Sequence, residues 1–186
     1  MLSDYLLTVL GAVQKERGYS NHFKTQHYEL NPVWQESVRR KKWLNPRHIG
    51  LTLLVSCVLA GILEVGNFPA PLADGLFGCL FVFFGMLIGR HLCNILIFRR
   101  FAQHPEEISG QVAMAHSLAL ATSTYQYLVV AVPVAIIAIF SPTPFTLGGL
   151  TGSILIFLVH SIWILRNKKK TSNPQGGASG RQPSSS

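Results

Sequence analysis

Four apolar stretches, roughly residues 49–68, 76–98, 112–140 and 145–165, divide the chain, and the links after the first and third contain no Lys or Arg. All sixteen cations fall on one side of that alternation. Eight precede the first stretch, Arg90, Arg99 and Arg100 lie towards the end of the second, and the last five follow the fourth. About 20 apolar residues suffice to cross about 30 Å of hydrocarbon as a helix, so each stretch is long enough for one crossing. Cations in short loops are retained on the cytoplasmic face. The pattern therefore predicts an all-α, polytopic four-transmembrane-helix bundle in the cell (inner) membrane, with both termini cytoplasmic. Its expected divisions are a cytoplasmic N-terminal region (1–47) with amphipathic juxtamembrane helices, a transmembrane domain (48–166) and a disordered basic and polar tail (167–186).

Charged residues are only 13% of the chain, about half the share in soluble domains. The net charge of +8 does not point to nucleic acid, because the basic residues border membrane segments. Anionic headgroups attract such residues by about 1 kcal/mol each, so the expected partner is the lipid surface, met by Arg39, Arg40, Lys41 and Lys42. The three cysteines, Cys57, Cys79 and Cys93, lie within apolar stretches and form no CxxC pair, so neither a zinc ribbon nor a disulfide framework is expected.

Before the first span, Leu2, Leu6, Leu7, Val9, Leu10 and Val13 recur at helical spacing and predict a short amphipathic helix. Asp4 stands where a basic leader region belongs, which argues against a cleavable signal. Residues 18–28 read as loop. Asn31-Pro32 and Asn45-Pro46 each pair a favoured N-cap with a proline suited to the first helical position. They predict an amphipathic helix over 32–43 and the start of the first span. The stretch at 112–140 is long for one crossing, so it tilts or begins as an interfacial turn. The short, uncharged link at 141–144 predicts a tight hairpin of the third and fourth helices.

Helices in lipid associate through small residues and polar contacts. Gly85-x-x-x-Gly89 and Gly148-x-x-x-Gly152 supply such faces, for packing inside the bundle or for a homo-oligomer or another membrane-protein partner.

Ionisable groups at membrane depth are functional candidates. At about 1.5 Å per residue, Arg90 and His91 lie about 10–12 Å in from the cytoplasmic end of their stretch, His116 about 6 Å and His160 about 7–8 Å. Asn94 shares the face of Arg90. One reading makes this layer a site, with Arg90 and Asn94 holding a lipid or other anion and His91, His116 and His160 holding haem or a transition metal. The other reading has Arg90 reaching the interface and each histidine bonded to a neighbouring helix. No HxxxH or HExxH spacing specifies a metal, and no cofactor is the default expectation. Glu64, Ser123, Gln126 and Tyr127 are candidates for a polar path across the bilayer. No GxSxG elbow, paired carboxylates or phosphate-cradling glycine loop is present. The sequence thus points to a small, non-enzymatic structural, accessory or assembly component of the membrane. A small-solute channel or transporter, or a haem- or metal-binding redox protein, are the alternatives.

Overall fold

The computed structural model describes residues 1–25, 31, 33–65 and 68–171. In chain order the helices are α1 (Leu2–Lys15), α2 (Tyr19–His22), α3 (Gln35–Arg39), α4 (Pro46–Val65), α5 (Ala70–Gln103), α6 (His116–Phe140) and α7 (Pro144–Thr171). Two short strands, β1 (Phe23–Thr25) and β2 (Val112–Met114), are the only β structure among the described residues. Four of the helices, α4 to α7, are long and apolar enough to cross a membrane. The fold is therefore a four-span helical bundle with smaller helices before its first span, as the charge and hydropathy pattern predicts.

The bundle is held by close approach of backbones. A Cβ added at Gly78 would lie 2.0 Å from the Phe145 carbonyl oxygen, one at Gly148 1.8 Å from that of Gly75, and one at Gly152 2.3 Å from that of Cys79. Only glycine permits that contact, and in lipid such contact is the main source of helix adhesion. α7 consequently becomes the central helix, packed on α5 along one flank and on α6 along the other, while α5 and α6 scarcely meet. Met86, Tyr127 and Ile156, from the three helices, form the buried core between them. The second small-residue pair behaves differently, since a Cβ at Gly85 or Gly89 would meet nothing within 4 Å. Those glycines border the gap between α5 and α6.

The α6–α7 hairpin closes as its uncharged link predicts. Thr143 N–H donates to Thr146 Oγ1 at 2.9 Å, and Thr146 N–H donates to Thr143 Oγ1 at 3.2 Å. This reciprocal cap satisfies two orphan donors at the start of α7, where Pro144 takes the first helical position. At its far end α7 continues to Thr171, and residues 172–186, most of the expected tail, lie outside the described residues.

The other helix boundaries are set by contacts that a local reading does not contain. At about 1.5 Å per residue, the 34-residue α5 is about 50 Å long, far more than the hydrocarbon needs. Its C-terminal overhang supports α1, whose apolar face joins Val38 of α3 in a small cluster of Tyr5, Val9, Ala12 and Val38. The segment read as loop at 18–28 instead forms α2 and β1 as far as Thr25, while residues 26–28 lie outside the described residues. β1 pairs in parallel with β2, placing Phe23 opposite Val112. That pairing also explains why the third stretch yields a helix only from His116, since its first residues are the partner strand. Tyr19 stacks on Phe23 at 4.4 Å and tilts on Phe98 at 4.6 Å, fixing this corner to α5.

The expected helix over 32–43 is much shorter. Lys42 N–H donates to the Ser37 carbonyl and Lys41 N–H to that of Val38, with Lys41 at φ 51°. This is a Schellman stop, completed by a lysine in the left-handed region. The Asn45 signal acts as expected: its Oδ1 accepts the Arg47 N–H at 3.1 Å, and α4 begins at Pro46.

Gly148→Ala is expected to lower thermal stability in detergent by about 1–3 kcal/mol through overpacking. Gly85→Ala should stay within about 0.5 kcal/mol of the parent. Thermal unfolding of the two variants side by side checks this.

Candidate functional site

Polar side chains converge where the start of α1 crosses α5 and α7, at the end of the bundle that carries the basic residues. α1 projects Asp4 and Thr8 one turn apart, so both face α5. Thr8 Oγ1 donates to the Asp4 carbonyl at 2.9 Å, which spends its only proton. It must therefore accept from His91 Nε2, 3.0 Å away, and this identifies Nε2 as a protonated nitrogen of that ring. Asp4 Oδ1 stands 3.3 Å from the same nitrogen, at ion-pair distance. Thr8 and His91 are each only 3% exposed, so α1 is docked on the bundle through a buried polar contact.

The first turn of α4 joins from another direction. His48 stacks on Tyr5 with ring centroids 4.6 Å apart and meets Trp34 edge-on at 5.1 Å. Tyr5 donates its hydroxyl to the Lys42 carbonyl at 2.7 Å, and Asn45 Nδ2 donates to Ser37 Oγ at 3.0 Å. From α7 comes His160, whose Nδ1 lies 3.1 Å from the Ile156 carbonyl. As the carbonyl only accepts, Nδ1 carries the proton. Its ring rests against Tyr127 at 4.7 Å and Trp163 at 4.9 Å.

Between these elements lies a cavity of about 260 Å³, bordered by Asp4, Thr8, His48, Arg90, His91 and His160. Asp4 Oδ1, His48 Nδ1 and Arg90 Nε are buried on its margin without a hydrogen-bond partner among the described residues. Buried polar atoms are normally satisfied, so these three atoms mark a place that can take a small polar guest. A larger, mostly apolar groove of about 700 Å³ opens on the other side of Arg90, between α5 and α6.

The structure brings several of the sequence candidates together and separates others. Arg90, His91 and His160 share the smaller cavity. Arg90 Nη1 donates to Ser123 Oγ at 2.8 Å, and its guanidinium lies 5.6 Å from the Tyr127 ring centroid. Ser123 and Tyr127 are buried there, whereas Gln126 is exposed and borders the groove. Glu64 is exposed on α4 and borders neither space. Asn94, half-buried, lies one turn beyond Arg90 on α5 and borders neither space. His116 starts α6, and its side chain lies outside those described. Among the described residues, no group of three or more His, Cys, Asp or Glu is placed to hold a metal ion.

The basic cluster is partly engaged within the chain. Arg39, 2.7 Å from Glu36, and Arg40 both pair with that carboxylate, and Lys41 pairs with Glu16. The hydrogen bonds from Arg39 and Arg40 hold the Glu36 carboxyl below its ordinary range.

Sequence reasoning missed Asp4, Tyr5, Thr8, Trp34 and His48. Asp4 and Thr8 were legible as two polar residues at i, i+4 spacing within the apolar repeat of an amphipathic helix. His48 lies two residues past Pro46, in the helical turn that the Asn45-Pro46 cap opens. Neither signal states which distant helix it meets.

No protein-family model, curated protein or solved structure matches the chain. The fold and the site together define a small polytopic membrane protein, without recognisable catalytic or metal-binding groups among its described residues.

His91→Leu removes the donor that holds α1 on α5. Amide exchange across Leu2–Lys15 should accelerate, and stability should fall by about 1–3 kcal/mol, because the buried Thr8 Oγ1 and the Asp4 carboxylate lose the ring N–H that faces them. Exchange mass spectrometry in detergent reads the first effect directly.

Proposed function

We propose that the protein is a non-catalytic accessory subunit of a larger membrane assembly, and that α4 is the helix it offers to its partner. One observation carries this reading: only 6% of the α4 span is buried within the chain, against 28% for α7. Its first turn is pinned by His48 and Asn45, and beyond that turn it makes few contacts with the other described elements. Gly50 and Gly61 have open space where a Cβ would go. At 100° per residue, Gly50, Ser56, Cys57, Ala60 and Gly61 fall within one face about 140° wide, with Glu64 near its centre. All six are exposed. Small residues around one polar group form the surface on which membrane helices associate.

The cations support an orientation with both termini in the cytoplasm and the 66–69 and 141–143 links outside. Residues 39–42 and 166–170 would then face anionic headgroups. Reporter fusions at Asp74 and Thr143 should read as external, and one at Glu107 as internal; the reverse pattern defeats this orientation.

Affinity purification in mild detergent should recover a membrane protein at fixed stoichiometry with this chain. Ala60→Leu with Gly61→Leu is expected to reduce that recovery about tenfold, a change of ~1.4 kcal/mol. Unfolding of the isolated variant should move by no more than about 0.5 kcal/mol, because the added side chains meet nothing in the chain. A small-solute pathway is the competing outcome. Flux in liposomes that is abolished by Glu64→Gln, with no partner recovered, would establish it instead.

A further inference from the structure

The groove between α5 and α6 runs from the level of Phe81 to that of Cys93, about 18 Å along the helix. Its volume of about 700 Å³ lies in the range of ligand sites, about 300–1,000 Å³. Gly85 and Gly89 form its floor with nothing within 4 Å of where a Cβ would stand, and Val82, Met86, Val130 and Val134 give it apolar walls. Among the described residues that line it, Arg90 alone is charged. Counted from Asp74, about 30 Å of hydrocarbon ends near Asn94, which places Arg90 about one turn inside the boundary. Lipid phosphates lie within reach of a long side chain at that depth.

Among the described residues the guanidinium there has no counter-ion. Its contacts among the described residues are neutral ones, with the Ser123 hydroxyl and the Tyr127 ring. No carboxylate of the described residues lies within 4 Å of it. Asp4, which borders the smaller cavity together with Arg90, is instead placed against His91. Arginine stays charged in proteins and matches phosphate oxygens with two parallel donors. An unpaired charge at membrane depth is costly. An apolar trough as long as a stretch of acyl chain therefore ends at a cation with no anion among the described residues.

We propose that this groove binds one anionic glycerophospholipid from the leaflet at the basic end of the bundle, its phosphate on Arg90 and an acyl chain along Gly85 and Gly89. The lipid supplies the counter-ion that the described residues do not provide and fills the gap that α5 and α6 leave by leaning on α7. This role is independent of the partner surface on α4.

The test uses the full chain in vesicles of equimolar phosphatidylglycerol and phosphatidylcholine with matched acyl chains. The protein is then extracted in mild detergent, and co-purifying lipid is quantified. Wild type should retain phosphatidylglycerol about fivefold over phosphatidylcholine, the factor given by ~1 kcal/mol per cation–lipid contact. Arg90→Gln should bring that ratio close to one, and Arg90→Lys should keep most of it. Gly85→Leu with Gly89→Leu leaves Arg90 in place and fills the trough, so it should lower the retention of both lipids without lowering the unfolding temperature. Equal retention of the two lipids by wild type overturns the proposal. So does an unchanged ratio in Arg90→Gln, or full retention after both leucines are introduced. Chain-to-chain cross-linking through Cys93, blocked by the two leucines in place of lipid loss, would assign the groove to a second copy and overturn it as well.

Discussion

Direct backbone contact between α5 and α7 is the interaction on which the remaining architecture depends. Hydrocarbon offers no hydrophobic drive for one apolar helix to leave lipid for another. Adhesion must come from dispersion at short range, and dispersion falls steeply with a gap of an ångström. Gly75, Gly78, Gly148 and Gly152 remove the side chains that would hold the two backbones apart. Once α7 is seated on α5, the tight turn at residues 141–143 brings α6 onto the opposite flank of α7. The gap between α5 and α6 follows from that order, and so does the open position of Gly85 and Gly89.

A second consequence is the length of α5. Because it runs well past the hydrocarbon, it carries a platform at the basic end on which α1, α2 and the two short strands assemble. The apolar cluster of Tyr5, Val9, Ala12 and Val38 is small, and α1 is also fastened by Thr8 and Asp4 meeting His91. A buried polar contact of this kind adds modest net stability, but it penalises misplacement heavily, since each group would be stranded without water. It sets where α1 sits along α5 more than how strongly it holds. The same region gathers His48, Arg90 and His160 around one cavity, so the contact that positions α1 also completes the polar lining.

The contrast between α4 and α7 divides the molecule into a part that is satisfied within the chain and a part that is not. Both are apolar helices long enough to span. α7 buries Gly152, Ser153, Ile156 and His160 between two neighbours. Among the described residues α4 is anchored chiefly at its first turn, through the Asn45 cap and the rings of Tyr5 and Trp34 around His48. Its smallest residues, together with Glu64, are turned to the outside. In a soluble protein that surface would be untenable; in a bilayer it is stable and available.

The number and approximate limits of the spans, the α6–α7 hairpin and the start of α4 were all readable from sequence. They rest on local hydropathy and short-range caps, which need no partner to be recognised. What sequence could not decide was which of two equivalent glycine pairs is used. Gly85–Gly89 and Gly148–Gly152 have identical spacing, and only the placement of α7 between its neighbours distinguishes them. Nor could it show that residues 23–25 find a strand at 112–114, that Lys41 ends α3, or that Asp4 and Thr8 meet His91. Each of those depends on groups remote along the chain or on one residue accepting a left-handed backbone. Periodicity and composition specify how far a helix extends and which environment it prefers, because those are properties of consecutive residues. Which faces touch is decided by the simultaneous fit of all the helices, and that fit exists only in the folded molecule.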